Sequence, residues 1–248
     1  MEIQVRLNKK DITLQVKQIP LPTTGSMYFI ESPEPTLYEF NQWRLNTFYH
    51  KEKETIKWVE SISSNDVLWD IGANIGQYCI YGAKLHDVRC IAIEPEAQNF
   101  AMLTSNILVN ELSKQITAYP IGLSSNAEYK TIDCNYEPAT SFNSILRESH
   151  TKNGIWTDTI DNLVLNHNFP QPTYVKLDVD GVEHEILKGG EKVLRNVKSI
   201  LVELHKEKDT EAIELIQSWG FRLTSIHDRG IPKIANFIFH KQQLENLI

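Results

Sequence analysis

The chain has 248 residues, 41% of them hydrophobic, enough to bury a full core and suited to one α/β domain with a small extension. A net charge of −7 argues against a nucleic-acid backbone as the main partner, and no stretch is long and apolar enough to span a bilayer. The N-terminus MEIQVRLNKKD lacks a secretory signal core, and Cys79, Cys90 and Cys134 show neither metal-ligand spacing nor an even count, so a reducing, cytoplasmic setting is expected.

Residues 1–50 read as an N-terminal extension and 51–248 as the main domain. Ile3, Val5 and Leu7, then Ile12, Leu14 and Val16, alternate about the turn residues Asn8 to Asp11, a β-hairpin pattern. Pro20, Pro22, Pro33 and Pro35 then punctuate a segment carrying Tyr28, Phe29, Tyr38, Phe40 and Trp43. It reads as irregular, either a cap over a pocket or packing against the main sheet. Beyond it the order is regular. A helix through 54–59 leads to a strand at 67–70, a helix at 75–85 and a strand at 89–94. A helix at 96–110, a strand at 116–121 and a Ser/Asn-rich excursion to about residue 155 follow. Next come a helix at 159–165, a strand at 174–179, a helix from Val182, a strand at 199–204 and a helix at 209–219. Two strands, 221–226 and 235–240, close the chain without a helix between them.

Strands alternating with helices predict a doubly wound, mostly parallel sheet of about seven strands. Cys90 to Ile93, nearly all apolar, reads as a strand covered on both faces. The final pair predicts an antiparallel ending, which an ordinary dinucleotide fold lacks and a class I methyltransferase sheet has.

The stretch WDIGANIGQY, Trp69 to Tyr78, turns a strand sharply into a helix. A dinucleotide loop needs G-x-G-x-x-G, and from Gly72 the second and third of those positions are Asn74 and Gln77. No Gly-Lys-Ser/Thr follows either. The pattern Asp70-x-Gly72-x-Asn74-x-Gly76 gives a tight turn without a pyrophosphate cradle, and the helix start beyond it favours a carboxylate. Glu94 ends the next strand, about 20 residues on, where an acid clamps ribose hydroxyls. A carboxylate and a ribose diol without phosphate describe S-adenosylmethionine. Singly, Asp70 also reads as a solvated strand-end acid and Glu94 as a charge at a helix start.

The segment YVKLDVDGVEHEILKGG, Tyr174 to Gly190, follows a strand expected beside the first, so its carboxyl end faces the same crevice. Asp178 is the functional candidate there, as hydroxyl-orienting group, general base or partner of the cofactor amine. Asp180 with Glu183 three residues on makes an acidic capping box, and Glu183 is the next candidate base. His205, ending VELH, reads as a general base or as a capping side chain. Asp178, Asp180, Glu183, Glu203 and His205 match no motif that fixes a metal-ligand set, and no metal is expected.

The segments WDIGANIGQY, IAIEPEAQNFAMLTSNILVNEL, IGLSS, TDTIDNL, VKLDVDGVEHEILKGG and ILVELH, in this order, resemble the FkbM-type methyltransferases from about Glu52 to His240. The resemblance implies a class I fold, S-adenosylmethionine and methylation of a hydroxyl on a sugar, glycan or natural product. It places Asp70, Gly72, Asn74 and Gly76 at the methionine end, Glu94 on the ribose, and Leu123 and Ser124 beside the adenine. Asp178 falls on a KIDVEG-like motif behind Lys176, with Asp180 where glutamate is usual. N- or C-methylation of a small molecule, and a non-catalytic binding module, are the alternative readings.

Overall fold

The structure is a computed structural model that describes residues 1–7, 10–32, 35–133, 152–179, 181–229 and 232–242. The chain begins with strands β1 (Glu2–Leu7), β2 (Lys10–Pro20) and β3 (Ser26–Ile30), then helices α1 (Pro35–Asn46), α2 (Phe48–Lys51) and α3 (Lys53–Glu60). It continues through β4 (Val67–Ile71), α4 (Gln77–His86), β5 (Arg89–Ile93), α5 (Ala97–Val109) and β6 (Ile116–Tyr119). A side excursion holds β7 (Gly122–Leu123), β8 (Glu128–Asp133) and β9 (Lys152–Asp158). The remainder is α6 (Ile160–Leu165), β10 (Tyr174–Leu177), α7 (Glu183–Gly189), α8 (Glu191–Leu194), β11 (Ser199–His205), α9 (Thr210–Ser218), β12 (Phe221–Asp228) and β13 (Ile234–Lys241).

Seven strands form the main sheet in the order β12-β13-β11-β10-β4-β5-β6. β11, β10, β4, β5 and β6 are parallel, whereas β13 runs antiparallel to both β11 and β12. This is the class I arrangement expected from the helix-free ending. Side chains alternate across the sheet: Leu68 packs in one layer with Ile80 and Leu103, and Trp69 in the other with Ile186 and Leu194. Because β10 lies beside β4, the chain leaves the sheet at Gly72 and Asp178 side by side, at the point where the strand order reverses.

Two stretches hold more regular structure than the sequence displayed. The proline-punctuated segment contains β3, which pairs with β2, and the helices α1 and α2. Met27 and Phe29 of β3 are fully buried, and Asn106 of α5 and Asn110 at its C-terminal cap accept the Ile30 and Tyr28 amides at 2.8 and 2.9 Å. The five-residue β3 is too short to show periodicity between prolines; Pro35 stands at the first helical position of α1, where its missing N–H costs nothing. The Ser/Asn-rich excursion holds a second small sheet, β7-β9-β8, and its residues 134–151 lie outside the described residues. Cys79 and Cys90 are buried free thiols, and Cys134 is also outside them. Among the described residues no helix is long and apolar enough to cross a membrane.

Candidate active site

The turn after β4 is built by residues that tolerate left-handed backbone. Gly72, Asn74 and Gly76 have φ of 77°, 51° and 90°. At Gly72 a Cβ would lie 1.9 Å from the Asp178 carbonyl oxygen, so only glycine lets the ends of β4 and β10 meet. Every backbone N–H from Gly72 to Gly76 has a partner, within the turn or at the end of β5. Gly72 and Ala73 both donate to Ile93 O, and Gly76 donates to Ala73 O. Asn74 donates to Glu94 Oε2 at 2.8 Å, and Ile75 donates to Asn74 Oδ1 at 3.0 Å. A phosphate cradle needs free amides, and these five have none to offer.

Asp70 is fully buried, so it is not a solvated strand-end acid. Its Oδ2 accepts the Cys79 amide at 3.1 Å, tying β4 to the first turn of α4, and Oδ1 lies 3.9 Å from Lys176 Nζ without a hydrogen-bond partner. Burial pushes its pKa up against the pull of Lys176. Glu94 also accepts the Glu96 amide, at 2.9 Å, and burial raises its pKa to about 7 although both amide bonds favour the charged form. Each Glu94 oxygen accepts one backbone amide and the Asn99 side chain also hydrogen-bonds to this carboxylate, whose two oxygens retain acceptor capacity for a diol.

Lys176 is 2% exposed, pairs with Asp178 at 2.9 Å and lies 4.9 Å from the Tyr78 ring centroid. Burial opposes the Asp178 charge, but Lys176 and then Arg229 outweigh it and hold this carboxyl well below the usual range. It is a permanently ionised acceptor and a weak base. Glu183 reaches back to accept the Val179 and Gly181 amides at 3.2 and 3.0 Å, fastening the turn that follows β10. Val182 is the residue before α7, with no side-chain cap, and Asp180 lies outside the described residues. Burial raises the Glu183 pKa to about 7.

One cleft over the turn is lined by Gly72, Ala73, Asn74, Gln77, Tyr78, Lys176 and Asp178. Arg44 from α1, Phe48 and Lys51 from α2, and Glu52 between α2 and α3 close it, together with Arg229 from beyond β12. Arg229 pairs with Glu52 at 2.9 Å, with Glu203, and more distantly with Asp178 at 3.7 Å. His205 does not line this cleft. Its amide donates to Asp209 Oδ2 at 2.7 Å and its Nδ1 accepts from the Glu207 amide at 3.3 Å, which shapes the turn before α9. Leu123 and Ser124 lie past β6. Leu123 is buried in the layer of Trp69, and Ser124 Oγ accepts from Lys130 Nζ at 2.7 Å. Neither lines the cleft. Sequence reasoning missed Arg44, Lys51 and Arg229; Arg229 is placed by carboxylates remote in the chain, at positions 52, 178 and 203.

The raised carboxyl groups have a consequence for stability. Folded Glu94 and Glu183 keep their protons to about 7, whereas the ordinary value is 4.5. The folded chain therefore binds more protons across that window, and stability is lost as pH rises through it. Asp178, held low, is ionised in both states there and adds no slope. The melting temperature of the ligand-free protein is expected to fall from pH 4.5 to 7, and Glu183→Gln is expected to flatten the fall. A melting temperature that rises steadily over this range contradicts the assignment.

Residues 70–223 match the methyltransferase FkbM domain. The chain is 30% identical over 204 residues to the hexuronic acid methyltransferase AglP of Haloferax volcanii, covering 81% of each protein. It is 26% identical to the methyltransferase sdnD of Sordaria araneosa, covering 75% of this chain and 85% of that one. Among solved structures, an rRNA methylase from Streptococcus thermophilus shares the fold with a TM-score of 0.50, at 12% identity over 77% of this chain and 95% of that chain.

Proposed function

Because the chain belongs to the FkbM methyltransferase family, we propose that it methylates a hydroxyl of a sugar or glycan with S-adenosylmethionine as the donor. The observation that carries the cofactor reading is the turn whose amides are all taken, by the turn itself and by Ile93 and Glu94, beside the buried Glu94 carboxylate at the end of β5. A ligand with a ribose diol and no phosphate suits that pair. Glu94 is the ribose acceptor, Gly72 to Gly76 floor the amino-acid end, and Leu123 and Ser124 follow β6 on the adenine side. The hexuronic acid in the name of AglP supports a sugar as the acceptor class.

The bound cofactor supplies a methyl group on a sulfonium, open to in-line displacement by an acceptor oxygen. The chain supplies alignment and exclusion of water. Asp178, ionised and held by Lys176, accepts a hydrogen bond from the attacking hydroxyl and orients it. Glu183 keeps the Val179–Gly181 turn in place behind Asp178. His205 stands away from the cleft with its Nδ1 taken by the Glu207 amide, so the proton of the attacking hydroxyl leaves to bulk solvent.

Glu94→Ala is expected to weaken S-adenosylhomocysteine about ten- to a hundredfold in calorimetry, the worth of hydrogen bonds to a charged acceptor. Unchanged affinity removes Glu94 from the ribose. The acceptor reading is tested with ¹³C-methyl S-adenosylmethionine and a panel of saccharides with and without a uronic carboxylate. Label on a sugar oxygen is expected. Label on nitrogen or carbon of another small molecule in the same assay, with saccharides unlabelled, overturns it.

A further inference from the structure

Four cations and two carboxylates line the cleft, and their pairing is uneven. Lys176 is taken by Asp178 at 2.9 Å. Lys51 lies over the Trp43 ring and has, among the described residues, one ion pair, with Glu52 Oε1 at 3.5 Å; the same oxygen serves Arg229 at 2.9 Å. Arg229 has an 8% exposed side chain and a buried Nε without a hydrogen-bond partner, although its other nitrogens meet Glu52, Glu203 and Asp178. A buried guanidinium donor left over after three carboxylates have been used calls for a further acceptor. Lys51 shows the same surplus: burial first, then repulsion by Arg229 and Arg44, pulls its pKa down. Arg44 and Lys51 come from α1 and α2 and Arg229 from beyond β12, so all three lie outside residues 70–223, which match the family domain.

We propose that Arg44, Lys51 and Arg229 form a carboxylate-binding subsite above the Gly72–Asn74 turn. An incoming carboxylate takes the unused donor of Arg229 and gives Lys51 a counter-charge of its own. The amino-acid tail of the cofactor and a uronic acceptor each carry such a carboxylate. The subsite rests on the methyltransferase reading, and its test separates the two sources.

The full-length protein and its Lys51→Met, Arg44→Met and Lys51→Arg variants are titrated with S-adenosylhomocysteine and with 5′-methylthioadenosine, which lacks the amino-acid tail. Glucuronate and glucose are then titrated into the protein saturated with S-adenosylhomocysteine. If the subsite holds the cofactor tail, Lys51→Met and Arg44→Met lose about ten- to a hundredfold in S-adenosylhomocysteine affinity, and Lys51→Arg recovers most of it. Methylthioadenosine affinity, which also reports an intact fold, stays the same. If the subsite holds the acceptor, both nucleosides bind unchanged, while glucuronate binding is lost in the variants and glucose is indifferent to them. Variants that bind all four ligands as the unsubstituted protein does, or that lose methylthioadenosine equally, overturn the subsite. Failure of the unsubstituted protein to bind S-adenosylhomocysteine overturns the cofactor reading itself, and the subsite with it.

Discussion

Gly72→Ala is expected to abolish measurable S-adenosylhomocysteine binding and to lower stability by several kcal/mol. Left-handed backbone at φ 77° costs a non-glycine residue about 1–3 kcal/mol on its own. The added methyl also meets the Asp178 carbonyl oxygen at 1.9 Å, and that oxygen is backbone, so it yields only if the end of β10 shifts. The Asp178 amide is bonded to Ile71 O at 3.1 Å, which couples this shift to β4 and to the whole turn. Gly154→Ala is the control: its Cβ meets nothing within 4 Å, and its stability and binding should match those of the unsubstituted protein. Denaturant unfolding and calorimetry read both effects. Full cofactor affinity in Gly72→Ala contradicts the close approach of the two strand ends.

Asp178→Asn is expected to reduce turnover by about 10²- to 10⁴-fold, the range of a lost positioning or proton-accepting group. The substitution keeps the shape and removes the charge, leaving Lys176, 2% exposed, without its 2.9 Å counter-ion. A loss of stability accompanies it, so turnover is compared at a temperature where unfolding curves show the variant folded. His205→Ala is expected to cost much less. Its ring accepts from the Glu207 amide in a turn away from the cleft, and the variant disturbs the entry to α9 first. The opposite ranking, with His205→Ala inactive but binding S-adenosylhomocysteine normally and Asp178→Asn active, moves the chemistry to the end of β11.

The main sheet was legible because its central strands are largely apolar and its two special turns carry glycines. Cys90 to Ile93 has no polar residue to mislead, and the helix-free interval between Phe221 and His240 separated this sheet from a dinucleotide fold. Short, punctuated elements were not legible. β3 has five residues, and the polar helices that follow it show no stripe of hydrophobic positions. The site divides in the same way. The turn after β4 and the acid after β5 sit at spacings set by the strand–helix–strand unit, so sequence alone finds them. The burial of Asp70 beneath its turn comes from the Cys79 amide and Lys176, which the spacing does not show. Arg229 is defined by carboxylates at positions 52, 178 and 203, a grouping that exists only once the sheet is assembled.

The central claim is that the turn after β4 holds a nucleoside cofactor without phosphate. Parallel calorimetric titrations of the unsubstituted protein with S-adenosylhomocysteine and with NADH test it most directly. With the amides of Gly72 to Gly76 already satisfied by protein acceptors and Glu94 left to accept a diol, the account requires saturable binding of S-adenosylhomocysteine and no detectable heat from NADH. Tight binding of NADH with none of S-adenosylhomocysteine contradicts it.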